Sequence, residues 1–445
     1  MNPTDAQPVA PADPKTEAVA RHASLYQSFR ASRHDSAWIS DIRQAALARF
    51  VELGFPTTRD EEYRFTDVRP IADFQGTLSN GSEGSVDISQ FALPVANHRL
   101  VFVDGHFRAD MSAVGELPEG VVLGSLENAI AADDETVKIH LSRYASTQDN
   151  AFTALNTAFL QDGVYFYIPN GMVVETPVHV IFLANAGHVA HPRNLIVAGE
   201  NSQATVVESY TSVNGGTYLT NGVTEVVAAQ GANLDHYKIQ RESTDAFHTH
   251  TLQVQQQRDV HFSSLNIALG GSIVRNNSNA VMGGEGIECT LNGLFVATGT
   301  QLIDNHTVMD HALPHCNSYE VYAGVLDDKA RGVFNGKIFV REDAQKTDAK
   351  QTNRNLLLSR EATIDTKPQL EIFADDVKCT HGATIGQLEE EAVFYLQARG
   401  IGKEDAKAIL TFAFANDLVE QIRIAPLREQ LSAELLQRLT HIHSN

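Results

Sequence analysis

The chain has 445 residues, 43% of them hydrophobic and 20% charged, which is the composition of a globular protein with a core large enough for more than one domain. Its 34 Lys and Arg stand against 55 Asp and Glu, a formal net charge of -21, so its surface repels phosphate backbones and nucleic acid is excluded as a partner. No apolar run is long enough to span a bilayer.

Residues 1–15 are rich in Pro, Ala and Asp and have no charged-then-apolar pattern, so a disordered tail is expected rather than a targeting peptide. A helical stretch follows over Glu17–Leu53, with Ile39, Ile42, Ala46, Phe50 and Leu53 in one apolar stripe. Gly54 and Pro56 end it. Gly54–Thr66 is a polar connector without periodicity.

From Arg99 to Ile372 short β-rich runs follow one another, among them Leu100–Val103, Val164–Ile168, Val178–Leu183, Val223–Val227, His261–Leu269 and Val333–Val340. Gly and Asn punctuate them, and no useful helix interrupts, which argues against alternating βαβ units. Small or polar openings to these runs recur at Ser202, Ala232, Asp259 and Gly286, offsets of 30, 27 and 27, and again at Lys329 and Glu361, 32 apart. Periods of that size fit stacked coils of a solenoid, and a parallel β-helix is the natural form; a large β-sandwich is the competing reading.

The end of the chain is helical again. Gln387–Arg399 places Leu388, Ala392, Tyr395 and Leu396 on one side; a second helix from Lys403 carries Ala406, Ile409, Leu410, Ala413 and Phe414; Leu427, Leu431, Leu435 and Leu439 continue at i+4. The expected division is thus a tail at 1–15, an N-terminal helical domain and connector at 16–98, a β core at 99–385 and a C-terminal helical domain at 386–445.

No phosphate-binding loop, zinc-protease helix, nucleophile elbow or dinucleotide fingerprint is present. Three cysteines, Cys289, Cys316 and Cys379, lie far apart, an odd count that speaks for reduced thiols in the cytoplasm rather than a disulfide framework. Two clusters carry ligand-type residues. His306, His311, His315 and Cys316 fall within eleven residues and could hold zinc or iron, as a stand-alone metalloprotein would; their spacing fits no standard template, and histidines lining a solenoid face would read the same way. Cys379 and His381 are one residue apart, so in an extended backbone both point to one side. Thiolate and imidazole suit iron and iron–sulfur species, yet two ligands do not complete a tetrahedral site, and a buried Cys beside a surface His is the plain alternative. A β-helix enzyme acting on acidic polysaccharide is a further reading, which the net charge opposes.

Asp304–Thr307, Asp310–His315, Val333–Ile338, Asp343–Asp348, Gln351–Ser359, Thr366–Ile372, Ala374–Thr384 and Phe394–Ile401 together resemble the SufB/SufD family of the SUF iron–sulfur cluster assembly system. Gly54–Pro56, Ala154–Phe159 and His191–Ile196 extend the resemblance, and Ala374–Thr384 is similar to the SufD form; Tyr63 stands where an aromatic, often Trp, is usual. The resemblance implies a mainly β protein, a right-handed parallel β-helix core flanked by N- and C-terminal helical domains. It implies a non-enzymatic subunit that pairs with SufB through the β-helix, docks the ATPase SufC through its C-terminal helices and forms a homodimer when alone. It also implies that His381, with Cys379 as a less certain neighbour, holds a transient iron–sulfur cluster or iron together with a SufB cysteine, with no cofactor tightly bound in the isolated chain. It assigns no ligand role to His306, His311 or His315.

Overall fold

The computed structural model describes residues 14–81, 84, 86–93 and 96–444. Two compact units result: one holds the described residues up to Gln75 together with Ser146–Phe159, the other Gly76–Ala145 and Leu160 onward. The expected tail at 1–15 lies outside the described residues up to residue 13, and Pro14 already opens a helix.

In the first unit the single expected helical stretch is two helices, Pro14–Ala31 and Ala37–Leu53, joined by a third, Ala151–Phe159. The stripe of the second helix is Ile39, Arg43, Ala46 and Phe50, with Arg43 where apolar periodicity placed Ile42. Arg43 is buried because Asp35 accepts its charge at 3.3 Å and the Phe29 ring lies 5.1 Å below its guanidinium. Around them Phe50, Phe55 and Phe152 meet edge to face, at 5.2 Å and 5.8 Å between centroids. The helix Ala151–Phe159 interrupts the β region of the sequence at 99–385, where no useful helix is expected, and every residue in it is buried; two short helices, Leu126–Ala131 and Glu135–His140, precede it.

The second unit is a parallel β-solenoid of about eight turns. Strands alternate between two sheets. The first sheet runs from His98–Val103 through Val178–Ala184, Gln203–Ser212, Asn233–Arg241, His261–Ala268, Glu288–Ala297, Asn317–Leu326 and Asp348–Leu357 to Lys378–Gly386. The second runs from Val164–Ile168 through Arg193–Ala198, Leu219–Ala228, Phe247–Gln256, Ile273–Met282, Leu302–His311 and Arg331–Val340 to Thr363–Ile372. Ser202 and Ala232 open first-sheet strands, whereas Lys329 and Glu361 open second-sheet strands, so the two sets of offsets measure one repeat on opposite walls. The alternative of a β-sandwich is excluded by the ladders, which are parallel from coil to coil in both walls.

Side chains alternate between the lumen and the outside. One half of the lumen is a continuous apolar core from Leu100 and Phe102 through Val206, Leu234, Phe262 and Leu291 to Ala349 and Ala374. The other half is polar, and each coil adds one rung to it: Glu208, His236 and His250, then Asn266 and Asn276, then Asn305, Glu320 and Gln351. Buried polar groups survive there because neighbouring coils bond them, as His236 Nε2 lies 3.2 Å from Glu208 and Asn276 Nδ2 donates to Asn305 at 3.0 Å.

The C-terminal helices Lys403–Val419 and Ala425–Ser444 pack on the outer face of the first sheet, where Leu418, Val419, Leu427, Leu431, Leu435 and Leu439 share one core with Val207, Ile239, Ile267 and Val325. This is why 386–445 joins the solenoid in one compact unit instead of standing apart. The buried face of Lys403–Val419 is Ala406, Ala408, Thr411 and Ala415, small side chains that allow close approach, and Ile409 is left outside. In Glu390–Gln397 only Val393 is buried, and Phe394 and Tyr395 are 70% and 57% exposed.

Candidate functional site

The two ends of the solenoid are treated differently. At the N-terminal end the edge strands are covered by antiparallel pairing, His98–Val103 by His106–Phe107 and Ala113–Val114, and Val164–Ile168 by Val122–Ser125. At the C-terminal end Thr363–Ile372 and Lys378–Gly386 each pair on one side only, among the described residues. Solenoids need a cap at each end because an uncovered coil exposes apolar lumen and unpaired backbone. Here the last coil has none: Ile372, Phe373 and Ile385 are among the exposed large hydrophobics.

Cys379 and His381 lie on that last coil. Their in-register partners are Ala349 and Gln351, both inward-facing and buried, so the row Cys379, His381, Ala383 and Ile385 faces the lumen. With no coil above it, the row is open to solvent: His381 is exposed and Cys379 half-buried. The extended backbone does bring the two side chains to the same side, as their spacing predicts. Their surroundings differ. Cys379 packs against the apolar half of the lumen. Burial and the Asp348 carboxylate beside it push its thiol up from the usual value. His381 continues the polar half, next in line after Glu320 and Gln351.

Backbone geometry adds a direction. Lys378 N donates to Thr347 O, so Lys378, Thr380, Gly382 and Thr384 turn their backbone groups inward to the preceding coil. Cys379, His381, Ala383 and Ile385 therefore turn theirs outward, free for another strand. On the second wall Thr363 N donates to Ala330 O, which puts Pro368 among the outward-turned positions, where its missing N–H breaks no ladder and weakens that edge as a docking strand.

The other cluster is dispersed. His306 faces outward with Nε2 3.1 Å from Asp304, which is itself held by Arg275 at 2.6 Å. His311 faces the lumen 2.9 Å from Ser318 Oγ, and burial pushes its ring down to about 4. His315 sits exposed in a turn at φ 61, and Cys316 is buried with its thiol donating to Gly284 O at 3.2 Å. Alternation along one strand sends His306 and His311 to opposite faces, so proximity in sequence does not become proximity in space. Among the described residues no group of three or more His, Cys, Asp or Glu is placed to hold a metal ion.

Glu320 and Gln351, both lumenal, carry no signal in the sequence. Ser318, Glu320, Tyr322 and Gly324 share one face, but both faces of that strand mix polar with apolar residues, and alternation alone does not tell inside from outside.

A groove of about 1360 Å³ lies between the turns of the last coils and the C-terminal helices, walled by Leu358, Arg360, Phe394, Lys403, Lys407 and His443 among others. No helix is long and apolar enough to cross a membrane, among the described residues.

These features define a class: a parallel β-solenoid closed at its N-terminal end, open at its C-terminal end, with an imidazole on the open coil. Residues 17–180 match the SufBD protein N-terminal region and residues 181–414 the SufBD core domain of SUF-system FeS cluster assembly. The chain belongs to the SufB/SufD family. It is 31% identical over 401 residues to the iron-sulfur cluster assembly protein SufD of Escherichia coli, covering 89% of this chain and 92% of that protein. A SufBD family protein of Synechocystis is 32% identical over 92% of this chain and 93% of its own length. SufD of Bacillus subtilis is 26% identical over 91% and 95%.

Proposed function

We propose that this chain is a SufD-type, non-enzymatic subunit of a cytoplasmic iron–sulfur cluster assembly complex. Its open coil pairs with a SufB solenoid, its C-terminal helices dock the ATPase SufC, and without SufB it pairs with a second copy of itself. The observation that carries this reading is His381, exposed on the lumenal row of an uncapped coil. One imidazole supplies one ligand, and iron or a nascent cluster, the cargo of the assembly, needs the remaining ligands from the covering chain. A partner thiolate is the natural complement, since Cys379 is half-buried against the apolar half of the lumen.

Movement is assigned to the joint between subunits, because the core of the solenoid is continuous from coil to coil. Nucleotide binding by SufC favours one arrangement of that joint over another, a population shift that opens or closes the coil around His381. The exposed Phe394 and Tyr395 beside the C-terminal groove supply an apolar footing for SufC.

The test is His381→Ala in the co-expressed complex. The complex stays intact on size exclusion and its iron and sulfide content falls to background; unchanged iron and sulfide would remove the basis of the reading. The separate metalloprotein reading has no observation in its favour, because its four ligands lie on different faces.

A further inference from the structure

Glu320 is a buried carboxyl to which the proposed function gives no role. It faces the lumen two coils inside His381, in one in-register file: Glu320 pairs with Gln351, and Gln351 with His381. Its side chain is 1% exposed. Gln351 Nε2 donates to Glu320 Oε2 at 2.7 Å. Gly336 on the facing wall makes this possible, because a Cβ there would come within 2.4 Å of Gln351 Nε2. Glu320 Oε1 and Gln351 Oε1 are both buried and, like Thr307 Oγ1 nearby, have no partner within hydrogen-bond distance, so the second carboxyl oxygen is left without a close donor.

No cation offsets the carboxyl. The strands of the last three coils place no Lys or Arg at an inward-facing position. The titratable groups around Glu320 are Tyr322 on its own strand, Cys289 one coil further in, His311 against Ser318, and His381 at the open end. Burial raises Tyr322 and Cys289 and lowers His311, so none of these three is positive at neutral pH. Thr307 and Gln351 are its neutral polar neighbours, and burial outweighs them and raises the carboxyl to about 7.

We propose that Glu320 is the charge-compensating carboxyl for a cation held at His381, protonated while the open coil is empty and ionised once the cation is seated, its proton passing to solvent. The inference rests on the reading of His381 as an iron-holding residue. A carboxylate two strand spacings away, about 10 Å, is close enough to act through an interior of low effective dielectric and strengthens cation binding roughly tenfold. Glu320 touches no cargo; it is a positioning group for charge, not a ligand.

The test titrates Co(II) as the probe into the complex with the partner subunit, near pH 6.5, in two buffers of different ionisation enthalpy. Glu320→Gln is nearly isosteric and keeps a hydrogen-bonding group against Gln351. Wild type releases more protons per Co(II) than Glu320→Gln, binds roughly tenfold tighter, and loses an infrared protonated-carboxyl band on loading that the variant never shows. Equal proton release and equal affinity in the two proteins would overturn the proposal. His381→Ala separates the layers: if it leaves Co(II) binding intact, the cation is not at His381 and the reading of the site fails along with this one. If it abolishes binding, the Glu320→Gln comparison alone decides.

Discussion

Arg193 and Glu225 form an ion pair of 2.7 Å with both side chains wholly buried. Glu225 also accepts backbone N–H bonds from Ser142, Tyr144 and Ala145, at 2.8, 2.9 and 2.9 Å. One carboxylate thus fastens the 142–145 segment, with Ser142 at φ 60, onto the outer face of the second sheet. Removing it strands a buried guanidinium and several amides together. Glu225→Ala is expected to cost about 3–5 kcal/mol. Urea unfolding followed by circular dichroism measures it, and an unshifted midpoint would show that the segment is held by something else.

The outward-turned backbone of the last strand makes a sharper prediction. Ala383 N–H points away from the fold, whereas Thr384 N–H points toward the preceding coil, by the alternation that Lys378 N to Thr347 O sets. Ala383→Pro removes a donor the chain itself does not use and blocks a docking strand; Thr384→Pro breaks an internal ladder bond. Ala383→Pro should keep the wild-type melting temperature and lose self-association and partner pairing on size exclusion. Thr384→Pro should lower the melting temperature as well. Equal pairing by wild type and Ala383→Pro would show that the open coil is joined by side chains and not by strand addition.

The parity of these strands also explains what is legible in the sequence. Runs such as Val164–Ile168 and Val178–Ala184 announce themselves because apolar residues fill both faces. Phe247–Gln256 does not, since His248 and His250 occupy its lumenal row and Thr249 and Thr251 its other row, so no apolar alternation shows. The repeat length is readable from turn residues, which is why the solenoid is expected without its individual strands. Cys379 and His381 are readable as a pair because an i, i+2 spacing survives in any strand. That their coil is the last one follows from the change to helical periodicity after Gly386; that it is open does not, because helix periodicity does not say which face the helices cover. The C-terminal leucines at i+4 are legible for the same reason that the stripe of Lys403–Val419 misleads: Leu is apolar wherever it sits, whereas Ala406, Ala408 and Ala415 mark a close contact only once the partner surface is known.

Glu320 has a consequence for stability that is separate from its proposed role. Burial raises it to about 7, above its unfolded value, so the folded state binds a proton the unfolded state has lost. Its contribution is fully present below the unfolded value and is lost as pH rises to about 7, a swing of about 3 kcal/mol. Asp162, also raised to about 7 by burial, acts in the same window, while His179 and His311, lowered to about 3 and about 4, act in the opposite sense over a range that overlaps it. The total curve therefore hides the effect, and the difference between variants reveals it. Glu320→Gln should gain stability relative to wild type as pH rises from 5 to 8, read as the difference in unfolding free energy. A difference that is flat with pH would mean Glu320 is ionised throughout.

The C-terminal helices separate folding from docking within one segment. Leu435 is 1% exposed and packs in the core shared with the first sheet, whereas Phe394 is 70% exposed beside the groove. Leu435→Ala leaves a cavity in a packed interior, about 2–5 kcal/mol, and should loosen both terminal helices from the solenoid. Phe394→Ala removes almost no buried area and should leave the melting temperature within a degree or so of wild type, since exposed substitutions of this kind shift stability by about 0.5 kcal/mol or less. If SufC docks here, the same substitution should weaken its retention in a pull-down at least tenfold, as loss of a central aromatic anchor does. Retention at wild-type levels in Phe394→Ala, with Tyr395→Ala behaving alike, would move the ATPase contact to another surface and leave these rings without a role.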